Sequence, residues 1–453
     1  MNTLGSKTTT LADFRPLRAW RYDLARVQPS DVIAPPYDVI SAAGQENLYA
    51  RHPHNCIRLI LNKILESDTE KDNRYTRARD LFRQWREEKV LIQDAKPRYY
   101  LYRQDFLDPR SGRSLVRRAL LGALKLEPFE KGVVIPHEKT LAKARADRKS
   151  LIEATGTNFS PIFALYEDPQ KEIETLLPAL EKGDPFFDAL DEDKVHHRLW
   201  AVEGETDCTK IHKSLASQPV YIADGHHRYT ISVEYARQQR EKAGNPDQEL
   251  ASDFVYMALV GFRDSGLALF PTHRLITGVK GYETEKTLEA LQKFFTVEKM
   301  APEKLMPKME SLSSRDSVIG FVPSADQGYL LTLKDEKAAR EHLPAGKPDI
   351  CYRLDVNICA YLIFKSILGL SETDWETCLA FTHSDPEALE AVRSGKVQAA
   401  FLLKPPPVQV LGDMGKVREL MPQKSTYFYP KLASGLLFYQ HDDKAIPAVS
   451  GLR

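Results

Sequence analysis

Residues 219–229 read Pro219-Val220-Tyr221-Ile222-Ala223-Asp224-Gly225-His226-His227-Arg228-Tyr229. The run from Val220 to Ala223 is short and apolar and follows a proline, which predicts a buried strand. Residues 230–242 have the spacing of a helix. The stretch therefore predicts a strand, a tight turn at Gly225 and a helix, with four polar side chains on the turn: Asp224, His226, His227 and Arg228.

This turn has the chemistry of a phosphate-binding site. A glycine lets the backbone turn tightly and approach a ligand, and the first amides of the next helix point toward an anion. Arg228 can bind phosphate oxygens with its planar fork, the two histidines can donate hydrogen bonds, and Asp224 can accept a proton or hold a metal ion. The alternative is a helix cap at Asp224 with two surface histidines. Four polar groups on one turn favour the binding site.

A second charged stretch runs from His137 to Arg148. His137 and Glu138 are adjacent, so the stretch lacks the His-Glu-x-x-His spacing of a zinc peptidase, which we exclude. Lys143 and Arg148 would either contact a polyphosphate or lie on a solvated helix face, and the sequence leaves both open.

Two further segments are candidates for the same chemistry. Asp38 follows the rigid doublet Pro35-Pro36 and is either a helix cap or a general base for a hydroxyl group. The segment Lys424-Ser425-Thr426 resembles the end of a Walker phosphate loop, but the upstream glycines are missing, so we exclude a P-loop. The alternative that these residues form a basic, hydroxyl-rich turn near a bound anion remains open.

The order of predicted elements indicates a mixed α+β protein. We place a soft boundary near residue 275, between an N-terminal region (1–275) and a C-terminal α/β domain (276–453). The predicted helices cover residues 72–90, 171–177, 230–242, 283–295, 354–368 and 414–420. The predicted strands cover residues 98–106, 114–126, 162–166, 196–202, 220–223, 317–322, 328–333 and 398–403.

Composition excludes several classes of protein. The chain has 453 residues, 42% hydrophobic and 28% charged, and its 63 basic residues equal its 63 acidic residues, so there is no excess charge for coating nucleic acid. The five cysteines never form a CxxC pair, which predicts a reducing compartment and neither a disulfide framework nor a zinc knuckle. With no signal peptide and no apolar stretch of about 20 residues, we expect a cytoplasmic protein without a membrane partner.

Five ordered motifs together resemble a widespread prokaryotic family long labelled as a domain of unknown function. The resemblance runs from about residue 14 to residue 439. It rests on Ala34-Pro35-Pro36-Tyr37-Asp38-Val39-Ile40, Pro136-His137-Glu138-Lys139-Thr140 with Ala146-Asp147-Arg148, Ser160-Pro161-Ile162-Phe163, Ile222-Ala223-Asp224-Gly225-His226-His227-Arg228-Tyr229, and Met421-Pro422-Gln423-Lys424-Ser425-Thr426-Tyr427-Phe428-Tyr429-Pro430.

The turn motif also resembles the signature of the ParB and sulfiredoxin-like superfamily, which implies a core of that fold. Its members include CTP-binding segregation proteins, ATP-dependent sulfinic acid reductases and kinases of free serine. The resemblance implies a phosphate-binding role for Gly225, His226, His227 and Arg228, and makes Asp38 or Asp224 the carboxylate that activates a hydroxyl. The reductase chemistry needs a cysteine beside the signature, which this chain lacks.

These observations lead to a kinase hypothesis. The resemblance associates the unknown-function family with serine metabolism, so the expected reaction is phosphorylation of free L-serine with pyrophosphate, ADP or ATP as donor and Mg²⁺ as cofactor. Asp38, Asp224, His226 and His227 would be catalytic. The phosphate would be bound by Gly225, Arg228, His137, Glu138, Lys143, Arg148, Lys424, Ser425 and Thr426.

Two other readings stay open. One is a nucleotide-binding, ParB-like regulatory module associated with DNA, which the neutral charge and the lack of a DNA-reading helix argue against. The other is an interaction protein whose motifs are turns. Because the motifs extend from Asp38 to Pro430, we expect both halves of the chain to build one site, for a small-molecule substrate and at an undetermined oligomeric state.

Overall fold

A computed structural model describes residues 12–138, 142–216, 218–245, 248–313 and 317–442, except for the side chains of residues 142–145. Its strands are β1 (Phe14–Arg15), β2 (Trp20–Tyr22), β3 (Leu91–Gln93), β4 (Tyr99–Leu107), β5 (Ser114–Lys125), β6 (Val134–Ile135), β7 (Thr157–Asn158), β8 (Ile162–Tyr166), β9 (Phe187–Leu190), β10 (His196–Val202), β11 (Val220–Asp224), β12 (Phe254–Gly261), β13 (Ala268–Phe270), β14 (His273–Ile276), β15 (Phe295–Met300), β16 (Val318–Val322), β17 (Gly328–Leu333), β18 (Leu379–Thr382), β19 (Ala399–Leu402), β20 (Tyr427–Tyr429) and β21 (Tyr439–Gln440).

The α-helices are α1 (Pro29–Val32), α2 (Ala42–Arg51), α3 (Ile57–Ile60), α4 (Arg74–Glu87), α5 (Ala142–Thr155), α6 (Glu172–Leu180), α7 (Glu205–Ala216), α8 (His226–Ala243), α9 (Thr284–Phe294), α10 (Leu305–Ser311), α11 (Glu336–Arg340), α12 (Asp349–Tyr352), α13 (Asp355–Asn357), α14 (Trp375–Cys378), α15 (Asp385–Arg393) and α16 (Gln409–Lys416). Short 3₁₀ turns cover Tyr37–Val39, Phe129–Lys131, Ala251–Asp253 and Pro302–Lys304, and a π-helix covers Ile358–Ile367.

The chain divides into two compact units. The first comprises Met1–Pro136, Thr140–Leu267 and Pro430–Arg453, and the second comprises His137–Lys139 and Ala268–Tyr429. The chain thus leaves the first unit after Leu267 and returns to it at Pro430. No helix in the described ranges combines the length and the apolar character needed to cross a membrane.

The first unit is built on a large mixed sheet. Its strand order is β6-β11-β8-β12-β5-β4-β10-β9, with β1 paired to β5. β11 is parallel to β6 and antiparallel to β8, and β8 is parallel to β12. The central strands β8 and β12 are almost wholly buried, which explains their continuous apolar sequence. Asp224 is the last residue of β11 and is partly buried, whereas the four residues before it in the strand are buried.

A second core in the first unit is mainly helical. Phe82 and Trp85 of α4 are each 2% exposed, as the helical spacing of apolar residues predicts, and Tyr75 and Leu81 of the same helix pack partly buried against this core. Phe438, from the returning segment, is fully buried against Phe82 and Phe159. The end of the described chain is therefore part of the core of the first unit.

The second unit contains a six-stranded sheet in the order β15-β17-β16-β19-β14-β18 and a two-stranded ribbon of β13 and β20. Every pair in these described strands is antiparallel. The C-terminal half is therefore mixed α and β as predicted, but its strands do not form the parallel βαβ units that define an α/β domain.

Several predicted elements differ from the observed ones. Helix α6 extends to Leu180, three residues beyond its predicted end, and includes Pro178. The missing N–H of Pro178 removes one backbone bond, and the two residues after it complete the last turn. Helix α8 begins at His226, four residues before its predicted start, because one left-handed residue completes the turn. Helix α16 spans Gln409–Lys416, so it begins five residues before the predicted helix of residues 414–420. It includes Gly412 and Gly415, and both are buried, so packing outweighs the low helix propensity of glycine.

Candidate active site

The turn between β11 and α8 depends on glycine at position 225. Gly225 has φ 99°, in the left-handed region that side chains disfavour. A Cβ atom at this position would also lie 2.9 Å from the Nη2 atom of Arg228. Glycine therefore allows both the single-residue turn and the close approach of the Arg228 guanidinium to the start of α8.

Asp224 lies between two cations. Its Oδ2 accepts a hydrogen bond of 3.0 Å from Nη2 of Arg228, and its Oδ1 accepts one from Nζ of Lys431. Nη1 of Arg228 donates to the carbonyl oxygen of Pro161 at 2.7 Å, which fixes the guanidinium. Both carboxylate oxygens thus face cations, and the Asp224 side chain forms an ion cluster instead of the helix cap that was the alternative.

These cations determine the charge of Asp224. Burial acts to raise the pKa of its carboxyl group, but the nearby Lys431 and Arg228 outweigh burial and hold that pKa well below its usual range. Asp224 is therefore ionised at neutral pH and has little affinity for a proton.

A third cation, Arg148 of α5, lines the same cavity as Arg228. Its guanidinium carbon is 3.9 Å from the centre of the Tyr37 ring, and its Nη1 donates to the Ile60 carbonyl at 2.8 Å. Its Nε donates to Asp147 at 2.7 Å. Burial raises the pKa of Tyr37, while the charges of Arg148 and Arg228 act to lower it, which places the phenol near both cations. Arg148 is thus held rigidly by contacts on three sides.

A small cavity of about 60 Å³ opens among these residues. Its polar wall includes Tyr37, Arg148, Ser160 and Arg228, and the rest of its lining is mostly apolar. Asp38 is exposed and lies beside Tyr37 in the same 3₁₀ turn. The arrangement places cations, an apolar surface and a carboxylate within one unit.

A separate cluster lies in the second unit. Oε1 of Glu138 accepts hydrogen bonds of 3.0 Å each from the amides of Ser425 and Thr426 and from the Thr426 hydroxyl. Nε2 of His137 is 2.9 Å from the same hydroxyl, and Lys424 has φ 57°. The turn that the sequence predicts to bind a phosphate contacts, in this structure, the carboxylate of Glu138.

The structure therefore distributes the predicted residues over two clusters. One group lies in the first unit and contains Asp38, Arg148, Asp224, Gly225, His226, His227 and Arg228. The other lies in the second unit and contains His137, Glu138, Lys424, Ser425 and Thr426. Lys143 is in α5, but its side chain is outside the described part of the chain. The phosphate-binding roles of the second group remain predictions.

Sequence reasoning missed Lys431 and Tyr37. Lys431 directly follows the last residue of the Met421–Pro430 motif, and Tyr37 lies inside the first motif. The position of Lys431 next to a motif is a signal that could have identified it as a site residue. Nothing in the sequence indicates that it contacts Asp224.

Among the described residues, no group of three or more His, Cys, Asp or Glu side chains is placed to hold a metal ion. Magnesium in phosphoryl-transfer sites usually takes one or two carboxylates and completes its shell with water and substrate phosphates. The exposed carboxylate of Asp38 fits that mode of binding, whereas both oxygens of Asp224 already contact cations.

The chain was compared with known proteins. A family described as "Protein of unknown function (DUF1015)" matches residues 14–357. No curated protein matches the chain. Three solved structures show distant similarity: a conserved hypothetical protein from Pyrococcus furiosus (13% identity, TM-score 0.33, 69% of this chain and 92% of that chain), a free serine kinase in complex with AMP (14%, 0.33, 71% and 90%), and C-terminally truncated SbnI from Staphylococcus aureus (12%, 0.33, 69% and 85%).

Proposed function

The chain belongs to the family described as protein of unknown function (DUF1015), and from the geometry of its first unit we propose that it is a phosphotransferase. The acceptor is a small hydroxyl compound, most concretely free L-serine, and the donor is pyrophosphate or a nucleotide. The observation that supports this proposal is the ion cluster of Asp224 with Arg228 and Lys431 at the start of α8.

The start of α8 supplies the phosphate-binding features. An eighteen-residue helix concentrates partial positive charge at its first amides, and Gly225, which has no side chain of its own, lets the Arg228 guanidinium lie beside them. Arg228 is fixed with its fork beside this end of the helix, and Arg148 adds a further positive charge nearby. Phosphoryl transfer depends mostly on positioning and charge stabilisation, which these residues provide.

The two candidate carboxylates have different roles in this proposal. Asp224 is held ionised by two cations and is a weak proton acceptor, so it organises Arg228 and Lys431. Asp38 is exposed beside Tyr37, and we assign it the role of accepting the hydroxyl proton of the acceptor. His226 and His227, in the first turn of α8, are the candidates for donating hydrogen bonds to the phosphoryl group.

Magnesium would be bound mainly by the phosphates of the donor and by water, with Asp38 holding one of the bound waters and not the ion itself, because Asp38 is assigned here as the proton acceptor. When bound, the ion would neutralise charge on the phosphoryl group.

The test is formation of phosphoserine. The purified protein is incubated with L-serine, Mg²⁺ and pyrophosphate, ADP or ATP in separate reactions, and the product is identified by mass spectrometry. We expect product with at least one donor and a loss of at least about a hundredfold in Arg228→Ala, because removing a charged phosphate contact costs several kcal/mol of transition-state stabilisation. Arg237→Ala is the matched control, since Arg237 lies exposed on the same helix and pairs with Glu241.

Absence of product with all three donors, from folded protein, would contradict the kinase proposal. Tight nucleotide binding without turnover, together with a salt-sensitive shift of DNA, would instead support the ParB-like regulatory alternative.

A further inference from the structure

Two buried side chains hold the backbone that carries Lys431. Nη2 of Arg117 donates to the carbonyl oxygen of Pro430, and Nε2 of Gln104 donates to the carbonyl oxygen of Lys431 at 3.1 Å. Gln104 and Arg117 are direct cross-strand partners on β4 and β5, and Oε1 of Gln104 accepts from Nε of Arg117 at 3.0 Å. The pair therefore fixes two consecutive residues of the returning segment.

Burial of this pair of polar side chains costs free energy, because both lose their contacts with water. Arg117 and Gln104 are each 1% exposed, and burial lowers the pKa of the Arg117 guanidinium to about 10. Apolar side chains at such positions are often neutral or stabilising relative to buried charged groups. The stability of the sheet alone therefore does not account for an arginine and a glutamine here, whereas holding residues 430 and 431 does.

The result of this arrangement is the position of the Lys431 ammonium group. Its side chain is 14% exposed, and its Nζ contacts one oxygen of Asp224 while Arg228 contacts the other. Two cations thus flank one carboxylate directly before the first turn of α8. Two cations and one carboxylate leave the cluster with one net positive charge, which attracts an anion that approaches this turn. Charge-assisted bonds to phosphate are the stronger class of hydrogen bond.

We propose that Lys431 is a phosphate-binding residue of this site, and that Arg117 and Gln104 are positioning residues that present it. The identity of the reaction rests on the proposed function, but binding of a phosphate-bearing anion by Lys431 can be measured without turnover.

The first experiment measures pyrophosphate binding in the presence of Mg²⁺ by isothermal titration calorimetry. We expect Lys431→Met to raise the Kd at least about tenfold, because it removes a charged hydrogen-bond donor, and Lys431→Arg to recover part of the loss. Lys242→Met is the control, since Lys242 is an exposed lysine near the end of α8. An unchanged Kd in Lys431→Met, or no pyrophosphate binding by the unaltered protein, would overturn the assignment of Lys431.

The second experiment tests the positioning residues with Gln104→Glu. This variant keeps an acceptor for Arg117 but loses the donor to the Lys431 carbonyl. We expect its pyrophosphate Kd to rise about tenfold, and the acetylation rate of Lys431, followed by peptide mass spectrometry, to approach that of exposed Lys242. A role confined to stability would lower the melting temperature without exposing Lys431. Gln84→Glu, at an exposed position of α4, controls for the added charge.

The outcomes separate this inference from the proposed function. Pyrophosphate binding that depends on Lys431, with no phosphoserine formed, would leave the inference standing and contradict the kinase. If phosphoserine forms and Lys431→Met leaves the KM for the donor unchanged, the kinase proposal stands and the assignment of Lys431 is contradicted. If Gln104→Glu fails to fold, the variants Lys431→Met and Lys431→Arg decide whether Lys431 binds phosphate. If Gln104→Glu folds and has the pyrophosphate Kd and the Lys431 acetylation rate of the unaltered protein, the positioning role of Gln104 is overturned.

Discussion

At the scale of single residues, the charge of Asp224 links stability to pH. Its pKa is lower in the folded protein than in the unfolded chain, where it is about 3.9, so the unfolded state binds the proton more tightly in acid. The ion cluster therefore contributes its full stability above about pH 4, and this contribution is lost as the pH falls through the lower, folded-state value.

We expect Asp224→Asn to lower the free energy of unfolding at pH 7 on the order of 2 kcal/mol, because Arg228 and Lys431 lose their shared anion. The difference from the unaltered protein should shrink as the pH is lowered from 4 toward 2. Urea unfolding followed by circular dichroism at several pH values measures both effects. Asp413→Asn is the control, because Asp413 forms an exposed pair with Lys416 that contributes little. A difference that stays constant down to pH 2 would contradict this account.

The same cluster shows which contacts a sequence can predict. Asp224 and Arg228 are four residues apart at a strand–helix junction, so local geometry suffices to bring them together. Lys431 contacts Asp224 across 207 residues of chain. That contact depends on the path of the returning segment and on Gln104 and Arg117, and no periodicity or spacing in the sequence encodes it.

At the scale of elements, the start of α8 depends on one glycine. We expect Gly225→Ala to destabilise the protein by about 1–3 kcal/mol and to weaken pyrophosphate binding, because the new methyl group needs a left-handed backbone and meets the guanidinium of Arg228. Gly244→Ala is a matched control at the other end of α8. Gly244 is also left-handed, but nothing lies within 4 Å of its added Cβ, so only the backbone cost of about 1 kcal/mol applies.

Thermal unfolding and pyrophosphate titration of both variants measure the two effects. Equal losses of binding in Gly225→Ala and Gly244→Ala would show that backbone strain alone is responsible, and that the close approach of Arg228 to the turn has no part in binding.

The predicted elements succeed where local pattern and burial agree. β8 and β10 have the bounds that the sequence predicts, because β8 is a continuous apolar run and β10 alternates partly exposed and buried residues except at the buried pair Leu199 and Trp200. The predicted bounds are wrong at α16, which begins five residues before its predicted start and includes the buried Gly412. Local propensity reports the preference of the isolated chain, whereas the packing that overrides it comes from residues distant in sequence.

At the scale of the whole molecule, the first unit is completed only by the last described part of the chain. The segment from Pro430 pairs with the first unit at Ala34–Ser434, at Trp20–Phe438 and through β21 with β7. Most of the second unit, Ala268–Tyr429, is inserted between Leu267 and Pro430. Both the aromatic core around Phe438 and the cation Lys431 therefore depend on residues that follow the insertion.

We expect a chain that ends at Tyr429 to lose protection in the first unit, because removal of Phe438 alone takes a fully buried ring from a cluster with Tyr22, Phe82 and Phe159. Loss of one buried phenylalanine typically costs about 3–5 kcal/mol, a large part of the stability of a domain. Hydrogen exchange followed by mass spectrometry should show faster exchange in β2, β3 and α4, while the strands of the second unit, which has its own apolar core, keep their protection. A chain that ends at Asp442 retains every contact described here and serves as the control. Equal protection of α4 in the two chains would show that the returning segment supplies Lys431 to the site without being needed for the fold of the first unit.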